Sequence, residues 1–291
     1  MATEIYTRKN IYSKMLKSVI IRCDYAEITN LEGFVNAIKP ILKPYFQKML
    51  PIEQNQYEFA ITKKRDDAYL PPVAKETKKK IYRFGEYRIP DIDVKLDISS
   101  EFICFDINCE KAYQGSDVFT DLFCKLIVKL TNIDFYVYFK RIGIRKIDIQ
   151  VLENGKKIED YFNNKFIVGL NWNSNSKKRM STMTDIIVEN GINFNITQRI
   201  DFDPKIKKER LIYDVDSYIK SDFINRCLSE HQIEGESTGE ENQQIEKKLQ
   251  DVLDKEMQEK MFKYFLEVVS QNYLEESKNA KEAMVQNEPC R

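Results

Sequence analysis

Histidine is almost absent from this chain, and glycine is scarce. His231 is the only histidine among 291 residues, and it lies beside an acidic, polar segment. A Ser-His-Asp or Cys-His hydrolase needs a histidine held as a general base, so these enzyme classes are disfavoured. The nine glycines form neither GxGxxG nor GxxxxGK[ST], which disfavours a dinucleotide fold or a P-loop.

The chain also lacks net charge and long apolar runs. Lys+Arg and Asp+Glu each number 46. Proteins held mainly by charge on nucleic acid or on anionic membranes are usually basic, so neither is expected as a general role. No segment has the roughly 20 apolar residues that span a bilayer, and the first residues lack the apolar core of a signal peptide. We therefore expect a cytoplasmic protein with no membrane association.

No pair of cysteines has the CxxC spacing of a zinc or redox motif. Most of the cysteines lie in apolar stretches, where we expect buried thiols. This usage is typical of a protein in a reducing compartment. No motif predicts a cofactor. The six cysteines are Cys23, Cys104, Cys109, Cys124, Cys227 and Cys290.

The first 151 residues alternate between strand and helix patterns. The order strand, helix, strands, helix, strand is typical of a split β-α-β unit. We therefore predict an α+β fold with a ferredoxin-like domain over 1–151, in which helices cover one face of an antiparallel sheet. The predicted elements are a strand at 15–25, a helix after the N-cap candidate Asn30 that reaches Met49, a strand at 56–63, a charged loop at 63–80, a hairpin over 91–109, a helix at 116–132 and a strand at 135–151.

The following residues, 152–230, predict a domain built as a β-meander. Asn190-Gly191 is a favoured type I′ turn pair, so residues 184–203 predict a hairpin. Apolar residues at 164–172 and alternation at 209–218 predict two further strands.

The last part of the chain predicts a linker and a long amphipathic helix. Residues 231–244 are acidic and polar, which favours a flexible linker. Residues 245–291 form a helical segment whose apolar stripe must pack against the chain's own sheet or against a partner, including a second copy. The stripe consists of Ile245, Leu249, Val252, Leu253, Met257, Met261, Tyr264, Phe265, Val268 and Val269.

The segment "RIGIR" holds the first candidate site. Arg141, Gly143 and Arg145 share one side of a predicted strand, and the glycine leaves a gap between the two guanidinium groups. In one interpretation each arginine pairs with an aspartate of a neighbouring strand, with Asp93, Asp106 and Asp214 as candidates. In the other, the gap binds an external carboxylate or phosphate.

Two further sets of residues are candidates for binding. Asp214 and Asp216 are two residues apart on a strand, and with a third carboxylate they can hold Mg²⁺ or Mn²⁺; an exposed strand face explains the pattern equally well. Two basic stretches carry Lys, Arg and Tyr together, which suits phosphate contacts and base stacking, although a solvated loop is the alternative. Their candidate residues are Lys78, Lys79, Arg83, Lys177, Lys178 and Arg179.

These short motifs resemble those of a sporadically distributed bacterial protein family without an established activity. The matching residues are Tyr113, the segment "RIGIRKID" at 141–148, and "YDVD" with Asp214 and Asp216. The chain departs from the family pattern at Lys146, where the family has an aromatic residue, and at Asp148, where it has Asn. The resemblance implies a fold rather than an activity, and it associates the chain with accessory or defence-linked bacterial systems.

Taken together, the patterns favour a non-enzymatic binding or regulatory protein that acts through a protein partner, with the C-terminal helix as the contact. An RNA-binding module on a ferredoxin-like sheet is the first alternative. A metal-dependent phosphodiester or nucleotide enzyme that uses Asp214 and Asp216 is the second.

Overall fold

The computed structural model of the chain describes residues 6–8, 14–60, 73–89, 92–110, 115, 117–134, 136–169, 181–224 and 239–287. It confirms a mixed α and β fold around a large antiparallel sheet. Nine strands form one sheet in the order β2-β3-β4-β5-β1-β6-β9-β8-β7. The strands are β1 (Leu16–Tyr25), β2 (Phe46–Ala60), β3 (Val73–Tyr87), β4 (Asp93–Ile98), β5 (Phe102–Asn108), β6 (Phe139–Val151), β7 (Ser181–Glu189), β8 (Ile192–Asp203) and β9 (Lys208–Lys220).

Helices lie between β1 and β2, between β5 and β6 and between β6 and β7, and further helices follow β9. A long helix over 239–268 contains a π-helical segment, Val252–Gln258, and the chain bends after it into a last helix. No helix among the described residues is long and apolar enough to cross a membrane. The helices are α1 (Leu31–Leu42), α2 (Asp117–Ile133), a 3₁₀ turn (Ile158–Asp160), α3 (Asn164–Gly169), α4 (Gly239–Asp251), α5 (Glu259–Val268) and α6 (Gln271–Asn287).

Local sequence signals fix several of these elements. The side chain of Asn30 accepts a hydrogen bond of 2.9 Å from the backbone N–H of Gly33, so it caps α1 as predicted. Asn190 and Gly191 have φ angles of +52° and +79°, which are those of a type I′ turn, and they join β7 to β8.

Strand β1 lies at the centre of the topology. It pairs antiparallel with both β5 and β6, so these two neighbours run parallel to each other, and α2 connects them. Helix α1 instead leads from β1 to β2 at the far edge of the sheet. For this reason the ferredoxin-like assignment stays a prediction.

The sheet is continuous across the predicted domain boundary at 151/152. Strand β6 pairs with β9 from Arg141 opposite Lys220 to Val151 opposite Arg210. The division into domains 1–151 and 152–230 stays a prediction, and these two parts share a long backbone ladder.

Several predicted elements were wrong. Residues 73–80 of the predicted loop belong to β3, because pairing with β2 outweighs their high charge. Residues 164–169 form α3 rather than a strand, and 239–244 begin α4 rather than continuing the linker. The first helix ends at Leu42, two residues after Pro40, and the chain enters β2 at Phe46.

The two faces of the sheet differ in burial. On one face, here called the helix face, the side chains of Ile21, Phe105, Ile144 and Val215 are buried in the same core as the apolar residues of the helices. The side chains of the opposite face, here called the open face, are mostly half-buried or exposed and largely polar.

The apolar stripe of the C-terminal segment packs into this core. Of the predicted stripe, all residues are buried except Tyr264, which packs against the core. Helix α6 continues the contact, since the hydroxyl of Tyr273 accepts a hydrogen bond of 3.2 Å from the backbone N–H of Met15, just before β1. The stripe therefore covers the chain's own sheet, as in the first of the two predicted arrangements.

Candidate functional site

The candidate site lies on the open face, where backbone register places polar residues of β6, β9 and β8 side by side. Arg145 lies opposite Asp216, which lies opposite Asn195. Gly143 lies opposite Tyr218. The two arginines and two aspartates singled out from the sequence thus meet in one cluster.

Within the cluster, each arginine is paired with an aspartate of β9. The guanidinium of Arg145 donates two hydrogen bonds, of 2.9 and 2.6 Å, to the carboxylate of Asp214. Arg141 donates a short hydrogen bond to Asp216. The pairing with Asp214 was among the predicted partners, whereas neither Asp93 nor Asp106 pairs with an arginine of this cluster.

Gly143 is required by close packing of β6 against β9. A Cβ atom at this position would lie 2.6 Å from the carbonyl oxygen of Ser217 and 2.8 Å from the Cβ of Tyr218. The side chain of Arg141 extends along the strand past this level to reach Asp216, and its guanidinium carbon lies 4.4 Å from the ring centroid of Tyr218. The predicted gap between the arginines is therefore occupied by the protein's own side chains.

Burial and the neighbouring charges shift the pKa values of the cluster in opposite directions. Burial raises the pKa of Asp216, although Arg141 and Arg145 lower it. The hydrogen bonds to Asp214 raise the pKa of Arg145 against the effect of burial. Two guanidinium groups face two carboxylates, so the cluster has little net charge when both aspartates are ionised.

Two polar atoms beside these pairs have no hydrogen-bond partner among the residues that the structure describes. They are Nε of Arg141 and Oδ1 of Asn195, the residue opposite Asp216. Both atoms are closed to solvent, so they do not present themselves to a ligand in this conformation.

The same pairing extends over the whole open face. Each of its described arginines has an aspartate partner on the same or the neighbouring strand. Asp201 is the most buried of these acids, with a side chain 7% exposed, and it accepts hydrogen bonds from two arginines. The pairs are Arg22–Asp24, Arg83–Asp97, Arg141–Asp216, Arg145–Asp214, Arg199–Asp201 and Arg210–Asp201.

A shallow cleft of about 240 Å³ lies farther along the open face, over β4, β5 and β1. Its lining mixes carboxylates with lysines, and the hydroxyl of Ser18 lies 3.5 Å from the carboxylate of Asp106. Within the part of the chain that the structure describes, no group of three or more His, Cys, Asp or Glu residues could hold a metal ion. The cleft is lined by Lys17, Ser18, Asp93, Lys95, Asp106, Asn108 and Glu110.

The predicted nucleic-acid residues that the structure describes lie on β3 and have acidic neighbours. Lys78 lies 3.5 Å from Glu53, and Lys79 forms an ion pair with Glu101. Arg83 binds the carboxylate of Asp97 through two hydrogen bonds of 2.7 and 2.6 Å. Lys177, Lys178 and Arg179 lie outside the described residues, as does Tyr113.

A second polar cluster lies on the helix side of the sheet. The carboxylate of Asp254, in the π-helical segment, accepts hydrogen bonds from the hydroxyl of Thr120 on α2, at 2.9 Å, and from the amide of Gln258, at 2.7 Å. Thr120 and Gln258 are fully buried. A π-helical segment is often found at functional sites, but here its acid is satisfied by its neighbours and anchors α2.

One exposed feature was not recognised from the sequence. Strand β7 is at the edge of the sheet, and its side chains of Ile186 and Val188 are 71% and 63% exposed. The run of Thr, Ile and Val was interpreted as half of a hairpin, which is correct. Local sequence does not show which half of a hairpin is left at an edge.

Comparisons with known proteins provide little further information. No protein-family model matches the chain, and no curated protein matches it. Among solved structures, the chain is similar to the crystal structure of DynU16, described as a putative protein in the dynemicin biosynthetic locus. The identity is 10%, the match covers 84% of this chain and 98% of that chain, and the TM-score is 0.19. A likeness of this degree carries no argument, and the family resemblance of the RIGIR and YDVD motifs stays a hypothesis.

Proposed function

We propose that this protein is a non-enzymatic binding protein that docks a protein partner on the open face of its sheet. The observation that carries the proposal is the complete pairing of the face's described arginines with aspartates. Such a face is polar and rich in arginine, yet it has little net charge.

This composition suits a protein partner better than a polyanion. Phosphate contacts require cations that can neutralise a phosphate, and each of these arginines would first have to leave its aspartate. Protein interfaces instead combine arginine with polar groups that can exchange one ion pair for another across the contact. The C-terminal stripe cannot serve as the contact in this conformation, because it is buried on the sheet.

We also propose that β4-β5-β1-β6, with α1 and α2, is a ferredoxin-like core. On this proposal the β2-β3 hairpin extends the core at one edge, and β9, β8 and β7 extend it at the other. The RNA-binding and metal-dependent alternatives stay predictions; Lys79, Arg83, Asp214 and Asp216 would each have to give up an ion pair in these roles.

Purification from the native host under mild salt tests the proposal. We expect a low ratio of absorbance at 260 nm to that at 280 nm and a stoichiometric second protein in the mass spectrum. Two lysines provide a variant and its control: the exposed Lys95 lines the cleft on the open face, and Lys205 is exposed in the turn between β8 and β9. The Lys95→Glu variant should lose this protein and the matched Lys205→Glu variant should keep it.

Two results would contradict the proposal. A high absorbance ratio that collapses on RNase treatment would favour the RNA-binding alternative. A second protein that stays bound to the Lys95→Glu variant as well as to the wild type would place the contact elsewhere on the molecule.

A further inference from the structure

Strand β7 pairs on one side only within the described chain. Its residues from Ser181 to Glu189 pair with β8, and β7 is the last strand in the sheet order. The tight turn makes Glu189 and Ile192 a hydrogen-bonded pair, so odd-numbered residues of β7 bond to β8. The backbone N–H and C=O groups of Thr184, Ile186 and Val188 therefore point outward from the sheet.

This edge lacks several of the usual features that prevent further pairing, although it carries the acids Asp185 and Glu189. Natural edge strands are commonly short, or carry lysine, proline or a bulge. Strand β7 is nine residues long, pairs with β8 without a register shift, and contains neither lysine nor proline. Its exposed side chains include Ile186 and Val188, which are β-branched and favour strands.

We propose that two copies of the chain associate by antiparallel pairing of their β7 strands about a two-fold axis at Ile186. In this register residues 183–189 of the two copies pair. Ile186 lies opposite Ile186 of the partner subunit on the open face, and each Thr184 lies opposite the partner's Val188. The two sheets then form one continuous sheet across the dimer.

Charge selects this register from its neighbours. An axis at Asp185 would place this carboxylate opposite its own copy, and directly opposed like charges are destabilising. An axis at Ile187 would place it opposite the partner's Glu189, an acid that each chain pairs with its own Lys260, and would pair only residues 185–189. With the axis at Ile186, Asp185 lies opposite the partner's Ile187, and Glu189 lies opposite the partner's Met183. An axis at Thr184 also avoids opposed acids but leaves Val188 outside the pairing.

We assign the outer edge of β7 to a second copy of the chain, because in this register the acids of each strand lie opposite apolar residues of the other. The match of Ile186 with itself is the property of a two-fold, isologous contact. A net charge of zero adds no long-range repulsion between copies. This association is independent of the partner proposed for the open face, since it uses the outer edge of β7.

Analytical ultracentrifugation of the full chain tests the proposal at protein concentrations on the order of 100 µM, since a contact of one strand per copy is small. We expect a species of twice the chain mass of 34.5 kDa, which is 69 kDa. The Ile186→Lys variant should sediment at the chain mass, because it places two ammonium groups opposite each other at the axis. The Ile206→Lys variant is the matched control, since Ile206 is 48% exposed in the turn between β8 and β9, and it should remain a dimer.

Cross-linking tests the register separately. Residues in a hydrogen-bonded antiparallel pair have Cα atoms about 5.5 Å apart, which is within the range that a disulfide spans. The Ile186→Cys variant should therefore form a disulfide-linked dimer under mild oxidation. The Thr182→Cys variant should not, because the two copies of this position lie eight residues apart along the strands, about 27 Å.

Three results would overturn the proposal. The first is a wild-type chain that stays monomeric at the highest concentration, and the second is an Ile186→Lys variant that remains a dimer. The third is a Thr184→Cys variant that cross-links faster than Ile186→Cys, which would move the axis to Thr184.

Discussion

Replacing Gly143 by alanine tests the packing that holds the two halves of the sheet together. The new Cβ atom would meet the carbonyl oxygen of Ser217 at 2.6 Å and the Cβ of Tyr218 at 2.8 Å. These atoms belong to β9, whose backbone is held by β6 on one side and by β8 on the other. Neither contact can be relieved by the rotation of a flexible side chain, so β6 and β9 must move apart.

The size of the effect follows from two opposing contributions. Overpacking a well-packed site costs about 1–3 kcal/mol, and contacts with backbone atoms put this substitution near the upper end. Alanine recovers about 0.7 kcal/mol, because it restricts the unfolded chain more than glycine does. The net loss in free energy of unfolding is about 2 kcal/mol. With an unfolding entropy of about 2.1 cal/mol/K per residue over 291 residues, Tm should fall by about 3 °C.

Thermal unfolding followed by circular dichroism measures this change, and Gly85→Ala is the matched control. Gly85 also lies in a strand, and no atom lies within 4 Å of a Cβ built there. The control should keep its Tm or gain slightly. If Gly143→Ala is no less stable than Gly85→Ala, the close approach of β6 and β9 is not what requires glycine at position 143.

Three further predictions concern charge, thiols and the C-terminal helices. Burial raises the pKa of Asp201, but hydrogen bonds from Arg210 and Arg199 lower it by more, so that this pKa lies below its usual value. The ionised carboxylate therefore stabilises the fold above about pH 4, and this stabilisation is lost as the pH falls below that. An Asp201→Asn variant should lack it, at a cost on the order of 2 kcal/mol in free energy of unfolding, measured by urea denaturation at about pH 6. Burial raises the pKa of Cys104 to about 11, but this thiol is partly exposed whereas Cys23 and Cys124 are buried. Cys104 should therefore be alkylated first of the three at neutral pH. Peptide mass spectrometry that finds Cys124 modified first would contradict this prediction. Deletion of residues 239–291 should leave an unfolded chain by circular dichroism, because it uncovers the core beneath α4, α5 and α6, and a folded product would show that these helices are dispensable.

The parts of the fold that were predictable depend on short-range signals. The turn at Asn190-Gly191 requires two positive φ angles, which this pair adopts at low cost, and its position determined the hairpin of β7 and β8. The cap at Asn30 is local in the same way. Period-2 alternation also located β4 and β5, because one side of each strand is buried and the other is wet.

The wrong assignments concern elements whose structure depends on residues far away in the sequence. Nothing within 73–80 indicates that β2 will pair with it, and a lysine-rich stretch with nearby prolines is usually a loop. The apolar run at Phe166 favours a strand, yet Asn163 begins a helical turn there, where its side chain accepts a hydrogen bond of 2.9 Å from the N–H of Lys165. That asparagine was a signal for a helix start which the sequence reasoning missed.

The residues of the candidate site were predictable from the sequence, but the way in which they pair with each other was not. Arg141, Arg145, Asp214 and Asp216 were all singled out, and Asp214 was named as an arginine partner. Which arginine meets which aspartate depends on the register of β6 with β9, and these strands are separated by 56 residues of intervening chain, from 152 to 207. Local patterns contain no information on a register between strands so far apart.

The bond between Tyr273 and Met15 has a consequence for how this protein is made. It joins residues 258 positions apart, so the helix that carries Tyr273 is synthesised long after the central strand β1. At about 5–20 residues per second, roughly 13–50 s pass between the synthesis of Met15 and that of Tyr273. During this interval α1 and α2 can already pack on the sheet, but the part of the core that α4, α5 and α6 complete is still uncovered. The synthesis of these helices, rather than the emergence of any single strand, is therefore the step that completes this core, and the interval before it is the one in which a chaperone would have most to protect.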